Sequence, residues 1–183
     1  MRMAERPGEI SERRKFLQAG EKHGRIGRLQ AITLKVIGKV KNSVRRMKRE
    51  GWESVVSEII LHSKYEEALA GVEDYSHLLI LFWMSRLHRT DREMKQIHPK
   101  SRRDLPLVGI FATRTQYRPN PIGLTLVKLV GRKKNILRVR GLDAVNGTPV
   151  IDIKPLSPRH ENPANVQVPG WYYLLWPRKG AAG

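Results

Sequence analysis

Hydrophobic and polar residues alternate with a period of two along much of the chain from Thr33 onward, which is typical of β-strands with one buried face. The segment 77–84 is instead apolar almost throughout, which favours a strand buried on both faces. One short helical turn is predicted at Tyr65–Leu69, before Gly71. Segments of strand length bounded by Gly, Pro or Asn lie at 34–40, 54–62, 77–84, 107–113, 123–130, 136–142, 148–154 and 171–176.

These short strands, with almost no long helix, predict an all-β fold. A closed or nearly closed β-barrel of about eight short strands is favoured because closure removes unpaired strand edges. Residues 1–31 show little apolar periodicity and contain four glycines. We therefore predict a basic N-terminal extension at 1–31, partly helical at Glu9–Gln18 or disordered, and a barrel domain at 32–177.

The charge of the chain indicates a polyanionic partner. Lys and Arg number 35 against 17 Asp and Glu, giving a net charge of +18 and an isoelectric point near 10.7. A balance of this kind points to nucleic acid, and phosphate contacts give affinity without sequence choice. Three basic clusters lie in the predicted barrel, at 39–49, 86–103 and 128–140. Composition alone thus predicts an RNA- or DNA-binding barrel.

Several chemistries are excluded by missing residues and motifs. The chain has no cysteine, so disulfides, thiolate zinc sites and cysteine nucleophiles are excluded. No GxGxxG or GxxxxGK[ST] motif is present, and the six histidines lack metal-site spacing, so we predict no Rossmann cofactor site and no metal. The longest apolar run, Leu78–Met84, is far shorter than the ~18 residues of a membrane span. We expect a soluble cytoplasmic protein that does not engage a membrane.

Polar residues are concentrated in the segment GIFATRTQYRPNPIGLTLVKL. It sets Arg114, Arg118 and Asn120 around Pro119 and Pro121, which restrict the backbone and predict a stiff polar loop between two strands. Rigid loops on strand scaffolds are typical places for preorganised sites. The alternative is a solvated connection with incidental arginines.

A second polar segment, GLDAVNGTPVIDIKPLSP, contains the turn Asn146-Gly147 followed by a strand. In that strand the alternation places Val150, Asp152 and Lys154 on one face. It places Ile151 and Ile153 on the other face. The acidic and basic side chains could cooperate at a site, or form an ordinary surface ion pair worth about 0 to 1 kcal/mol.

The motifs FATRTQYRPNPIGLTLV and GLDAVNGTPVIDIKP, preceded by TLKVIGKVKNS and GVEDYSHLLILFW, closely resemble the TsaA/TrmO-like family of tRNA adenine N6-methyltransferases. The resemblance extends from Leu34 to about Pro158. It implies a β-barrel that uses S-adenosylmethionine and methylates N6-threonylcarbamoyladenosine at position 37, in the anticodon loop of a threonine tRNA. It also implies a homodimer with cofactor contacts near the subunit interface. Bacterial members carry a further C-terminal domain that this sequence lacks, so we expect a different grip on tRNA.

The resemblance also implies particular cofactor contacts. The pair after the apolar strand is Ser85-Arg86, where bacterial members typically have His-Gln, and the loosest correspondence is at Gly51-Trp52. The predicted cofactor contacts are Gly51, Trp52, Ser85, Arg86, Arg114, Leu124, Gly141, Leu142 and Asp143.

The chemistry of the implied reaction suggests further roles. A sulfonium donor is already activated, so positioning should dominate, whereas the N6 amine is electron-poor and needs an acceptor for its hydrogen. We hypothesise that Asp152 or Asn120 is this acceptor. Lys154, Arg118 and Arg114 would hold the threonylcarbamoyl carboxylate, phosphates or the cofactor carboxylate, and Tyr117 would stack on a flipped-out base. The competing classes are a non-catalytic RNA-binding β-barrel accessory protein and a DNA-directed methyltransferase.

Overall fold

A computed structural model describes residues 31–177, and strands are the main regular secondary structure in this part of the chain. Short 3-10 turns lie at 63–65, 67–69, 72–74, 90–93, 99–101 and 110–112, and one short α-helix, α1, spans Tyr172–Leu175. The strands are β1 Gly38–Lys41, β2 Val56–Leu61, β3 His77–Trp83, β4 Gln96–Ile97, β5 Val108–Gly109, β6 Ile122–Lys133, β7 Ile136–Arg140 and β8 Pro149–Pro155.

Six of these strands form a closed barrel in the order β1-β2-β7-β6-β3-β8, with β8 pairing back to β1. Every pair in the barrel is antiparallel, and the two-residue strands β4 and β5 pair separately. The predicted all-β closed barrel is therefore confirmed. The barrel and all residues discussed below belong to the unit of the chain that begins at Leu34.

The barrel interior is filled by alternate residues of the strands, as the period-two pattern predicted. On β3 the inward residues are Leu78, Ile80 and Phe82, all buried. The same alternation operates on β2 and β7, where Ile59 and Leu137 are completely buried. Outward-facing residues of these strands are partly or fully exposed, so β3 is not buried on both faces to the degree that its sequence indicated.

Two predicted strands take other conformations. The segment 107–113 supplies only β5, because the chain turns at Ile110, where the hydroxyl and N–H of Thr113 both bond its carbonyl. The segment 171–176, predicted as a strand, contains α1 instead. Helical spacing brings the rings of Tyr172 and Trp176 to 4.8 Å, a contact between residues four apart that an extended strand cannot make.

A bulge in β8 changes one predicted face. Phe82 pairs with Val150 whereas the preceding Leu81 pairs with Asp152, so β8 contains one extra residue at this point. Val150 therefore points into the core and is completely buried, while Asp152 and Lys154 lie on the outer face. The prediction that Val150 shares their face is wrong, since simple alternation does not hold across a bulge.

The predicted helix at Glu9–Gln18 lies outside the described residues. The boundary between the extension and the barrel domain, placed at residues 31 and 32, stays a prediction. Within residues 31–177, no helix has the length and apolar character needed to cross a bilayer.

Candidate functional site

A cavity of about 140 Å³ opens at the end of the barrel where β3 and β7 end and β8 begins. Its lining combines apolar side chains with hydroxyl, amide, carboxylate and guanidinium groups. Ligand pockets are typically lined in this way, by apolar side chains and a few polar groups. The lining residues are Met47, Phe82, Met84, Ser85, Arg86, Leu87, Gln116, Asp143, Ala144, Val145 and Thr148.

The predicted turn Gly141–Asp143 supplies the acidic side of this cavity. Gly141 has a φ of 93°, a conformation suited to glycine, and its N–H bonds the carbonyl of Val55 at 3.0 Å. The side chain of Leu142 is completely buried in the core, so it anchors the turn and offers a ligand only its backbone. Asp143 is held at the cavity wall, where its Oδ1 accepts a hydrogen bond from the hydroxyl of Thr125.

The pair Ser85-Arg86 lies where β3 ends and also lines the cavity. Arg86 donates from Nη1 to the carbonyl of Arg45 at 2.5 Å, which joins the end of β3 to the segment after β1. Met47 in that segment completes the cavity wall. The structure thus brings together three predicted cofactor contacts, Ser85, Arg86 and Asp143.

Gly51 and Trp52 form a local turn and do not line the cavity. Lys48 donates from Nζ to the carbonyl of Gly51 at 2.6 Å, and Trp52 donates from Nε1 to the carbonyl of Lys48 at 3.0 Å. The Nζ of Lys48 also lies 5.0 Å from the centre of the Trp52 ring. These contacts stiffen the end of the segment that follows β1.

The predicted polar loop between β5 and β6 is held by its own arginines. Arg114 donates from Nη2 to the carbonyl of Leu124 at 2.8 Å, and Leu124 lies on the outer face of β6. Arg118 donates from Nε to the carbonyl of Thr115 at 2.9 Å and from Nη2 to the carbonyl of Thr113. The guanidinium of Arg118 therefore cross-links the loop in the described structure.

Asp152 and Lys154 lie on the outer face of the barrel. Lys154 Nζ lies 2.7 Å from Asp152 Oδ2, and the other oxygen of Asp152 accepts the N–H of Ile153 at 2.9 Å. The hydrogen bond and the charge of Asp152 raise the pKa of Lys154. Leu81, the partner of Asp152 on β3, faces outward, whereas the neighbouring Phe82 faces the cavity. This ion pair therefore lies on the outer face of the sheet, whereas the cavity of the same chain lies on the inner face.

The remaining predicted residues stand in the polar loop. The side chain of Asn120 is exposed, and no hydrogen-bond partner for its amide lies within residues 31–177. Tyr117 is half-buried, and its N–H bonds the hydroxyl of Thr115 at 3.4 Å. No cluster of three or more His, Asp or Glu residues suited to a metal occurs in the described part of the chain.

Several residues of the site were not predicted from the sequence. Gln116 lies between Arg114 and Arg118, inside the segment already singled out, so proximity in that motif could have indicated it. Met47 is the only apolar residue among the charged residues 45–50, which is unusual for a solvated loop. The hydrogen bond from Thr125 to Asp143 joins residues 18 apart, and no local pattern indicates it.

Residues 44–162, more than half of the chain, match the family model of the tRNA-methyltransferase O N-terminal domain. The chain belongs to this family. The family predicted from the sequence motifs is thus confirmed. A crystal structure of TrmO from Pseudomonas aeruginosa is similar to this fold, with a TM-score of 0.64 and 26% identity, over 80% of this chain and 64% of that one.

Three curated relatives show how far the similarity extends. A probable S-adenosyl-L-methionine-binding protein of Archaeoglobus fulgidus is 32% identical over 79% of this chain and 39% of its own length. An S-adenosyl-L-methionine-binding protein of the same organism is 38% identical over 69% of this chain and 91% of its own length. A human tRNA (adenine(37)-N6)-methyltransferase is 38% identical over 57% of this chain and 23% of its own length. The chain thus spans most of one relative and well under half of the other two.

Proposed function

We propose that this chain is a cytoplasmic, S-adenosylmethionine-dependent methyltransferase that acts on the exocyclic N6 of adenosine 37 in the anticodon loop of a tRNA. The threonylcarbamoyl form of that adenosine is the proposed acceptor. The observation that carries the proposal is the cavity in which Ser85, Arg86 and Asp143 converge. The relatives named as S-adenosyl-L-methionine-binding and tRNA (adenine(37)-N6)-methyltransferase proteins support it.

The residues of the cavity fit a molecule that is part apolar and part charged. Met47, Phe82 and Met84 offer a surface on which an adenine ring would pack, since thioethers and aromatic rings make favourable contacts with π-systems. Asp143 offers a carboxylate whose Oδ1 is fixed by Thr125, and acceptors of this kind suit ribose hydroxyls or a nearby cation. When bound, S-adenosylmethionine supplies a methyl group on a positively charged sulfur.

The residues of this chain must then position the acceptor base and manage its proton. With S-adenosylmethionine bound, N6 would take the methyl group from the sulfur of the cofactor and would give up its own proton. We assign the proton to Asp152, with Lys154 holding the carboxylate in place. Arg114 and Arg118 keep the polar loop rigid, so that Asn120 and Tyr117 meet the substrate in a fixed arrangement.

A homodimer would complete this site. The cavity of about 140 Å³ in one chain is well below the roughly 300 Å³ at which ligand pockets usually begin. Leu124 and Leu126 on the outer face of β6 are 43% and 49% exposed, next to Leu81 and Leu79 of β3 in the register. An exposed apolar surface of this kind is typical of a protein interface. A second copy packed there would add its own side chains to the rim of the cavity. It would also bring Asp152, on the outer face of one chain, toward the cavity of the other chain.

Two measurements test the proposed function. Equilibrium dialysis with labelled S-adenosylmethionine and no RNA should show one site per chain. Methyl incorporation should occur into purified tRNA and not into duplex DNA, and nucleoside mass spectrometry should locate the product at position 37. Binding of RNA without binding of S-adenosylmethionine would instead identify a non-catalytic RNA-binding barrel, and transfer to duplex DNA would identify a DNA-directed enzyme.

A further inference from the structure

The outer face formed by β1, β2, β7 and β6 is strongly basic. The residues of this face are set by the register, in which Lys41 pairs with Glu58 and Glu58 pairs with Arg138. Neighbouring strands lie about 4.8 Å apart, so the four strands span about 14 Å. Six cations point outward here, and Glu58 is the single acidic residue of these strands. The cations are Lys39, Lys41, Lys128, Lys133, Arg138 and Arg140.

Most of these cations are uncompensated. Lys41 forms an ion pair with Glu58 at 3.0 Å. The side chains of the other five are exposed, and none has a hydrogen-bond or ionic partner in the described portion of the chain. They are therefore available to an external anion.

One pair on this face is unfavourable to the fold by itself. Lys128 of β6 and Arg140 of β7 are direct cross-strand partners, and like charges in this position destabilise a sheet. Lys128 also pairs with His77 of β3, the strand on the other side of β6. Two cations placed opposite each other without an acid are well suited to a ligand with closely spaced negative charges, such as consecutive phosphates.

The basic face also reaches the candidate site. Arg140 ends β7, and the chain passes directly through Gly141 and Leu142 to Asp143 at the cavity. At the end of β1, Lys41 leads into the segment whose Arg45 carbonyl is bonded by Arg86. A polyanion bound to this face would therefore extend to the rim of the cavity.

We propose that this face binds the phosphodiester backbone of the RNA substrate and directs the target nucleotide to the cavity. The proposal rests on the proposed function, which makes RNA the substrate. It goes beyond that function by assigning the docking surface to Lys128, Arg138 and Arg140. This surface adjoins the apolar residues proposed for a second copy, because Lys128 follows Leu126 on the outer face of β6. Cations that contact phosphates give binding that weakens as salt displaces them.

The test compares two triple variants that lose the same charge. The face variant is Lys128→Gln, Arg138→Gln, Arg140→Gln. The control variant is Arg89→Gln, Lys95→Gln, Arg103→Gln, three exposed cations of the segment between β3 and β5. The affinity for fluorescein-labelled tRNA is measured by anisotropy over a range of salt concentrations. We expect the slope of log Kd against log salt to fall by about 2 to 3 in the face variant, since each lost phosphate contact removes about 0.7 to 0.9.

Equal changes of slope in the two variants, or a change in the control alone, would overturn the proposal. Dialysis of the same proteins against S-adenosylmethionine keeps the two claims separate. A wild-type chain that binds tRNA but no S-adenosylmethionine contradicts the proposed function, while the salt slopes still decide the docking surface. Unchanged S-adenosylmethionine binding in the face variant, together with its reduced slope, supports the proposal and shows that the fold is intact.

A second measurement concerns the like-charge pair. Lys128→Gln should raise the melting temperature by about 1 to 3 °C because it removes a repulsion. Lys39→Gln, in which the lost cation is opposite Ile60 and not another cation, should leave it unchanged. Equal melting temperatures in the two variants would show that the pairing of Lys128 with Arg140 does not destabilise the fold. That result would contradict the inferred repulsion between the two side chains.

Discussion

Thr125 of β6 donates a hydrogen bond from its hydroxyl to Oδ1 of Asp143, in the segment that follows β7. Thr125 pairs with Ile80 on β3, so its side chain belongs to the inward face of the barrel. The bond therefore holds a cavity-lining carboxylate against the barrel wall. It also limits the orientations of Asp143 before a ligand binds, which reduces the entropy cost of binding.

Removal of this hydroxyl should weaken cofactor binding. Thr125→Val keeps the shape of the side chain but cannot donate, and a hydrogen bond to a charged group contributes about 1.5 to 3 kcal/mol. We expect an increase of about 10-fold to 150-fold in the Kd for S-adenosylmethionine by equilibrium dialysis. Thr125→Ser keeps the hydroxyl and should remain within about twofold of the wild type. Equal Kd values for the valine variant and the wild type would contradict the positioning role.

The close packing of Gly123 under Phe82 predicts a large effect of one added methyl group. A Cβ at Gly123 would lie 2.3 Å from Cε2 and Cζ of the Phe82 ring, which lines the cavity. Overpacking of this kind costs about 1 to 3 kcal/mol, so Gly123→Ala should lower the melting temperature by roughly 3 to 10 °C.

Gly109→Ala is the matched control, because a Cβ there meets no atom within 4 Å and the φ of Gly109 is −59°. Its melting temperature should stay within about 1 °C of the wild type. A similar loss of melting temperature in both variants would contradict the explanation by a clash with the Phe82 ring.

The barrel could be predicted from the sequence because β6 and β7 alternate with a period of two and β3 is an apolar run of strand length. All three were found within a few residues of their observed bounds, since both patterns are local properties of the sequence. The strand predicted at 171–176 was wrong because the spacing of its aromatic residues fits a strand as well as a helix. The contact between Tyr172 and Trp176, four residues apart, favours the helix α1. Simple alternation likewise could not place Val150, because the bulge that inverts its face depends on the pairing with β3.

The candidate site was only partly predictable. Ser85, Arg86 and Asp143 carry over from family motifs and do line one cavity. Asp152 and Lys154 were chosen for their chemistry, and the ion pair between them exists, yet it lies on the outer face. The relation between that face and the cavity depends on three-dimensional packing, and in the proposed dimer on a second copy, which a single sequence pattern does not describe.

Arg132 and Glu73 predict a pH dependence of stability. Hydrogen bonding to the backbone, and then to Arg132 at 3.1 Å, holds the pKa of Glu73 below its ordinary value of 4.5. Since the pKa is lower in the folded state, the stabilisation is present above pH 4.5 and is lost as the pH falls through the folded pKa. Glu73→Gln should therefore lower the melting temperature at pH 7, and the difference should be smaller at pH 3.

Glu67→Gln is the control for this pH effect, because Glu67 is exposed and has no ion pair in the described region. Its melting temperature should match the wild type at both pH values. A difference between the Glu73 variant and the wild type that persists unchanged at pH 3 would show that the effect is not ionic.

The apolar outer face of β6 predicts the assembly state. A charge at Leu126, which is 49% exposed, would have to be buried if a second copy packs there. We expect light scattering to give twice the chain mass of 21.1 kDa for the wild type and the single-chain mass for Leu126→Asp. Val166→Asp changes a residue that is 67% exposed outside the barrel strands and should leave the dimer intact. A monomeric wild type would rule out this interface.

The proposed proton acceptor gives the most direct test of the chemistry. Asp152→Asn keeps the size of the side chain but removes the basic carboxylate, and loss of a general base typically costs a factor of about 10² to 10⁴ in rate. We expect kcat for tRNA methylation to fall at least about 100-fold, with the Kd for S-adenosylmethionine unchanged, because the proposed role of Asp152 is to accept the N6 proton and not to hold the cofactor. Lys154→Gln keeps the carboxylate and removes the cation that holds it at 2.7 Å, so a smaller loss is expected. Near-wild-type turnover in Asp152→Asn would exclude this role and leave Asn120, whose exposed amide is tested by Asn120→Ala.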